Sequence, residues 1–146
     1  MLHQLKYKHD TSNVWALGYL LSETLTKIKP DTHMLLPMPL YVKRQKQRGF
    51  NQALELLRYY QTMLGHMPIR TNLVRKIVDT PHQTSLNLAN RKNLQNVFRV
   101  EKNVTGKNII IIDDVITTGA SANTLATALR LAGANRIELC VLLRTV

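Results

Sequence analysis

The sequence is short of acids. Nine Asp and Glu stand against 20 Lys and Arg in 146 residues, a formal net charge of +11. So lopsided a balance points to polyanionic partners, either phosphorylated substrates, nucleic acid or both. A single cysteine, Cys140, excludes an intrachain disulfide and any zinc site built on cysteines. Aromatics are 5% of the chain, so no stacking platform for single strands stands out. No stretch approaches the roughly 18 apolar residues that a bilayer span needs. The start, Met1 to Lys6, lacks the apolar centre of a signal peptide. No Gly-x-Gly-x-x-Gly occurs and no Gly-x-x-x-x-Gly-Lys follows a strand, so the dinucleotide fingerprint and the P-loop are both out. The expectation is a soluble, cytoplasmic chain with one domain over residues 1–146. Its 45% of hydrophobic residues are enough to bury a core. Nothing in the sequence speaks to oligomeric state.

The most informative stretch runs from Asn108 to Ser121. Four isoleucines, Ile109 to Ile112, read as a strand buried on both faces, as in a parallel sheet. Two carboxylates follow, Asp113 and Asp114, then Thr117-Thr118-Gly119-Ala120-Ser121, then a helical pattern. Strand, acid pair, small-residue loop and helix suit a sugar phosphate. Loop amides and a helix N-terminus can face the anion, and the carboxylates can accept hydrogen bonds from vicinal hydroxyls. A buried strand whose acids only cap the next helix would need one carboxylate and no such loop.

The other elements fall around this one. Val14, Leu17, Leu21, Leu25 and Ile28 share a helix face, with Trp15 expected near it in the core, and Pro30-Asp31 ends that helix. Met34-Leu35-Leu36 is a short strand entering Pro37-Met38-Pro39-Leu40, where two prolines hold the backbone extended. Tyr41 to Gln52 is expected to be an anion-binding loop, with Lys43, Arg44, Lys46 and Arg48 before Gly49. Asn51 opens a helix carrying Leu54, Leu57, Tyr60 and Leu64 on one face, closed by Gly65. Thr71–Val78 includes a strand, and Phe98-Arg99-Val100 starts another. The polar run Thr80–Asn93 between them reads as a lid, with a helix from Leu86 to about Asn96. Ala122, Leu125, Ala126, Leu129 and Ala132 line a helix ending at Gly133, and Ile137–Leu143 is a second apolar strand. The strand–helix–strand unit predicts a right-handed crossover, with ligands at the carboxyl ends of the strands.

Asn108 to Ser121 closely resembles the phosphoribosyl-diphosphate (PRPP) signature of the type I phosphoribosyltransferases. The chain as a whole resembles the ComF family, phosphoribosyltransferase-like proteins associated with natural competence for DNA uptake. The marks are Leu5-Lys6-Tyr7, Pro37 to Leu40, Arg48-Gly49-Phe50-Asn51-Gln52, Gln83 with Leu86, Arg91 and Asn93, and Ile109 to Ser121. The resemblance implies an α/β fold of the type I phosphoribosyltransferase kind, a mainly parallel sheet flanked by helices. It implies that Asp113 and Asp114 grip the ribose hydroxyls as the catalytic positions. Thr117, Thr118, Gly119, Ala120 and Ser121 would cradle the 5′-phosphate of PRPP or a related phosphorylated ribose. Pyrophosphate would lie on Pro37, Pro39, Lys43, Arg44, Arg48 and Gly49. A flexible loop with Gln83 and Arg91 would close over the site. Mg²⁺ would come with PRPP, held through ligand oxygens and water rather than directly by protein.

Two departures qualify the resemblance. Many members carry a cysteine-rich, zinc-binding segment at the N-terminus, and this sequence starts after where it would lie, as a trimmed chain or a short form. Purine-salvage transferases place an acid where this chain has Thr117, and a threonine hydroxyl is no general base near neutral pH. The acceptor is unspecified. The expectations are therefore a phosphoribosyltransferase of unknown acceptor, a PRPP sensor without turnover, or a DNA-binding protein. Single-stranded DNA and competence DNA-uptake proteins are further partners for it.

Overall fold

The computed structural model describes residues 11–63, 65–79 and 96–145, with side chains from Trp15 onward. In chain order these form α1 (Thr11–Leu25), β1 (Met34–Pro37), α2 (Val42–Arg48), α3 (Gln52–Met63), β2 (Val74–Lys76), β3 (Phe98–Val100), β4 (Asn108–Ile116), α4 (Ala120–Leu131) and β5 (Arg136–Arg144). The Leu5–Tyr7 motif, Gln83, Arg91 and the helix expected from Leu86 lie outside the described residues.

The isoleucine strand is the centre. β4 runs between β1 and β5, parallel to both, with Leu35 opposite Ile110 and Ile110 opposite Glu138. Beyond β1, Leu35 bridges in parallel to Ile69. Because side chains alternate along a strand, β4 feeds two cores. Ile109 and Ile111 pack with Leu36, Leu125 and Leu129 on the α4 side. Ile110 and Ile112 pack with Leu17, Leu21 and Leu57 on the α1 and α3 side. All four isoleucines are buried, each worth about 1.5–3 kcal/mol over an exposed one. The type I expectation of a parallel sheet flanked by helices is met, with β2 and β3 as a separate antiparallel pair.

The amino ends of the strands are tied by a polar network. The Arg136 guanidinium donates twice to the Asp31 carboxylate, each at 2.7 Å. Asn108 Nδ2 donates to the Asp31 carbonyl at 2.9 Å, and its Oδ1 accepts from Asn135 at 2.8 Å. This foot lies at the opposite pole from the carboxyl ends, which are left to the site.

Three expectations are corrected. Trp15 is 58% exposed, set edge-on to Tyr59 with ring centroids 4.8 Å apart. It lies about 200° around the helix from Leu17 at 3.6 residues per turn, on the outer face. In α3 the buried positions are Gln52, Ala53, Leu56, Leu57 and Tyr60, so Leu54 is only partly covered. The stretch after Tyr41 is a seven-residue helix, α2, rather than a loop.

Candidate functional site

The carboxyl ends of β1 and β4 meet at one rim. The Met38 amide donates to the Ile112 carbonyl at 2.8 Å, which sets the Pro37–Pro39 turn beside the start of the acid pair. Asn51, just before α3, locks that turn. Its Nδ2 donates to the Met38 carbonyl at 3.1 Å, while its Oδ1 accepts the Leu54 amide at 3.3 Å as a helix cap. Next to it, Gln52 is buried, and its Nε2 has no hydrogen-bond partner among the described residues. Its Oε1 accepts from Arg48 at 3.5 Å.

Asp113 and Asp114 are half-buried at the end of β4. Asp113 Oδ1 accepts the Asp114 amide at 2.9 Å, which orients its carboxylate. Thr117 and Thr118 are exposed in the turn that follows. Gly119 then takes φ = 79°, a left-handed conformation that costs glycine nothing, and opens α4. The Ala120 amide donates to Thr118 Oγ1 at 3.3 Å, and the Thr145 amide donates to the Ile116 carbonyl at 3.0 Å, closing β5 onto the loop. Asp113, Asp114, Thr117, Thr118, Gly119, Ala120, Ser121, Pro37 and Pro39 thus share one end of the sheet.

The cations of α2 do not converge as a loop would allow. Gly49, at φ = 78°, closes the helix through its amide to the Gln45 carbonyl. Helical spacing splays the side chains. Arg44 Nε donates to Asp79 Oδ1 at 2.5 Å, and Arg48 reaches Gln52. Lys43 and Lys46 turn to a cleft of about 470 Å³, lined by Tyr41 and Val42 beside them and by Arg75, Lys76, Ile77 and Arg99 from the β2–β3 pair.

Lys76 is the site residue that sequence reasoning missed. Its Nζ stands 5.8 Å from the centre of the Phe98 ring. Burial, then the charge of Arg44, holds its ammonium below the usual lysine range, while Asp79 and Asp113 pull the other way. It thus lines the cleft and feels the charge of Asp113. A three-residue strand carries no period that could have revealed it.

The described residues hold no cluster of three or more His, Cys, Asp or Glu able to cage a metal. No helix among the described residues is long and apolar enough to cross a membrane.

A profile described as "Phosphoribosyl transferase domain" matches residues 63–145. The Competence protein ComFC of Bacillus subtilis is 33% identical over 130 residues, covering 88% of this chain and 51% of that protein. The chain belongs to the ComF family of phosphoribosyl transferase domains. The DNA utilization protein YhgH of Salmonella typhimurium is 33% identical over 152 residues, covering 100% of this chain and 66% of the relative. The ComF domain here thus spans between half and two thirds of the length of these curated relatives. In fold it is similar to a hypoxanthine phosphoribosyltransferase from Staphylococcus aureus, with a TM-score of 0.58 at 15% identity over 92% of this chain and 64% of that one.

Proposed function

We propose that this ComF domain binds PRPP with Mg²⁺, the 5′-phosphate on Thr117–Ser121 and the ribose hydroxyls on Asp113 and Asp114. The observation that carries the reading is the shared rim: acid pair, left-handed Gly119 and Pro37–Pro39 turn lie at one end of the sheet, fastened by Met38 to Ile112. The diphosphate faces the turn, with Pro37, Pro39 and Gly49 shaping the backbone and Lys43, Arg44 and Arg48 as cations within reach of rearrangement. Gln83 and Arg91 are proposed flexible-loop contacts from outside the described residues. Mg²⁺, where bound, would offset the charge that the diphosphate and the carboxylates bring together. Residues 1–146 act as one unit in this reading. A cytoplasmic location goes with it, since a ligand bearing three phosphates does not cross a bilayer unaided.

The reaction that fits is transfer of the phosphoribosyl group. The bond from C1 to the diphosphate oxygen breaks, a bond from an acceptor nitrogen to C1 forms, the acceptor's proton passes to solvent, and pyrophosphate leaves. The residues here orient the sugar and meet the developing charge on the leaving group. Thr117 supports a second reading, a PRPP sensor without turnover, because no acid stands where purine-salvage enzymes place theirs. The names of the relatives support a role in DNA uptake, with single-stranded DNA or competence proteins as partners.

Calorimetric titration with PRPP, with and without Mg²⁺, tests the ligand. Magnesium-dependent binding is expected. A folded sample that takes up no PRPP at millimolar concentration would overturn the proposal. Pyrophosphate release on adding acceptors separates the transferase from the sensor.

A further inference from the structure

The antiparallel pairing places Arg75 directly opposite Arg99. Like charges directly opposite each other destabilise a strand pair, and this pair relieves only half of the conflict. Glu101 takes Arg75, accepting from Nε at 3.0 Å and Nη2 at 2.7 Å. Among the described residues no acid pairs with Arg99. Facing the two arginines are Lys43 and Lys46, three apart on α2 and therefore also neighbours. Neither has an acid partner among the described residues. With Lys76, five cations line the cleft, and folding gains nothing from setting Lys43, Lys46 and Arg99 there without an acid partner among the described residues.

We propose that this cleft is a second phosphate site, filled alongside PRPP, and that its ligand is a phosphomonoester. The site lies beside the one assigned to PRPP and rests on that assignment only in being filled together with it. Lys76 lines the cleft and also feels the charges of Asp79 and Asp113. Arg44 and Arg48 are engaged toward Asp79 and Gln52. The outer wall of Lys46 and Arg99 is thereby left for a different anion. A dianionic phosphate offers acceptors to both and removes their mutual repulsion. The cleft, about 470 Å³, is larger than a phosphate needs, and Tyr41, Val42 and Ile77 give it apolar wall. A phosphate carried on a small organic body fits that mixture better than a bare ion.

The test uses the full chain saturated with PRPP and Mg²⁺, which closes the Thr117–Ser121 loop to competitors. Inorganic phosphate and phosphoethanolamine are titrated into wild type, Arg99→Gln and Lys46→Gln. Wild type is expected to bind at one site, with phosphoethanolamine the tighter if the ligand is organic and equal affinity if the bare anion suffices. Each variant is expected to lose about tenfold in probe affinity, as for a charge-assisted hydrogen bond, with PRPP affinity changed less than about twofold. If PRPP-saturated protein takes up neither probe and Arg99→Gln weakens PRPP itself, the cleft is part of the diphosphate pocket and the proposal falls. It also falls if both variants bind the probes like wild type. Should wild type bind no PRPP yet bind phosphate in a way that Arg99→Gln abolishes, the PRPP reading fails and the phosphate site survives.

Discussion

Asn51 bonds the Met38 carbonyl through Nδ2 and the Leu54 amide through Oδ1, so one side chain both caps α3 and holds the Pro37–Pro39 turn. The two roles can be separated. Asn51→Asp keeps an acceptor for the Leu54 amide but loses the donor to Met38. It is expected to melt near wild type and to bind PRPP more weakly. Asn51→Ala loses both, with a stability cost of about 1 kcal/mol for the cap. Thermal melts beside PRPP titrations check this. Unchanged PRPP affinity in Asn51→Asp would show that the turn does not depend on that bond.

Gly119 can be tested in the same way. A Cβ added there meets Ile116 Cδ1 at 3.3 Å, a flexible end that can yield, but φ of +79° strains any branched residue. Gly119→Val is expected to lose roughly 1–3 kcal/mol of stability from that conformation alone, which confounds its effect on ligand. Asparagine tolerates the left-handed region. Gly119→Asn should therefore fold and still bind PRPP poorly, because its side chain would crowd the amides proposed to face the 5′-phosphate. Normal PRPP affinity in Gly119→Asn would move the phosphate elsewhere.

Asp113→Asn and Asp114→Asn each keep size and lose charge. In Asp113→Asn the side-chain amide oxygen could still accept the Asp114 backbone N–H, so the local backbone should hold. Each variant is expected to weaken PRPP by about ten- to a hundredfold, the value of a charge-assisted hydrogen bond. Inorganic phosphate should still bind the Thr117–Ser121 loop with little change. Equal loss of phosphate and PRPP would show that the carboxylates are not reading the sugar.

Lys76 sets stability against binding. Its folded pKa lies below the ordinary 10.5, burial being the main cause and Arg44 the next. The folded state therefore holds this proton less tightly than the unfolded chain does. The penalty is fully present below the lowered pKa and fades as pH rises toward 10.5. Lys76→Met, with a thioether against Phe98, is expected to melt higher than wild type at pH 7. The difference should narrow on the alkaline side, and PRPP affinity should fall. A lower melting point at pH 7 would mean that Asp79, Asp113 and the Phe98 ring outweigh burial.

The rim was legible in the sequence and the cleft was not. Ile109–Ile112 followed by two acids and a small-residue loop names its own geometry, because strand, turn and helix are consecutive there. The crossover to β5 and the Asn51 cap were local in the same sense. Lys76, Arg75 and Arg99 became neighbours only through a strand register set across more than twenty residues. Strands of three residues are too short for their alternation to show. The helix of α2 had a signal that the cation count obscured, since Lys, Arg and Gln between Pro39 and Gly49 are good helix formers. Trp15 likewise stands out of phase with Leu17, Leu21 and Leu25, so helical periodicity already assigned it outward.

β4 is hydrogen-bonded to a neighbour on each side and supplies isoleucines to both cores, whereas α2 is seven residues long with none of them buried. Amide exchange should separate the two sharply. Ile110 to Asp113 can open only when the whole sheet does, and they are expected among the slowest protons to exchange. Those of α2 should exchange by local fraying many orders of magnitude sooner. In this ComF domain the sugar's anchor would then keep its shape for the lifetime of the fold, while the cations rearrange on each encounter. Comparable protection in α2 and β4 would mean that the two move as one piece.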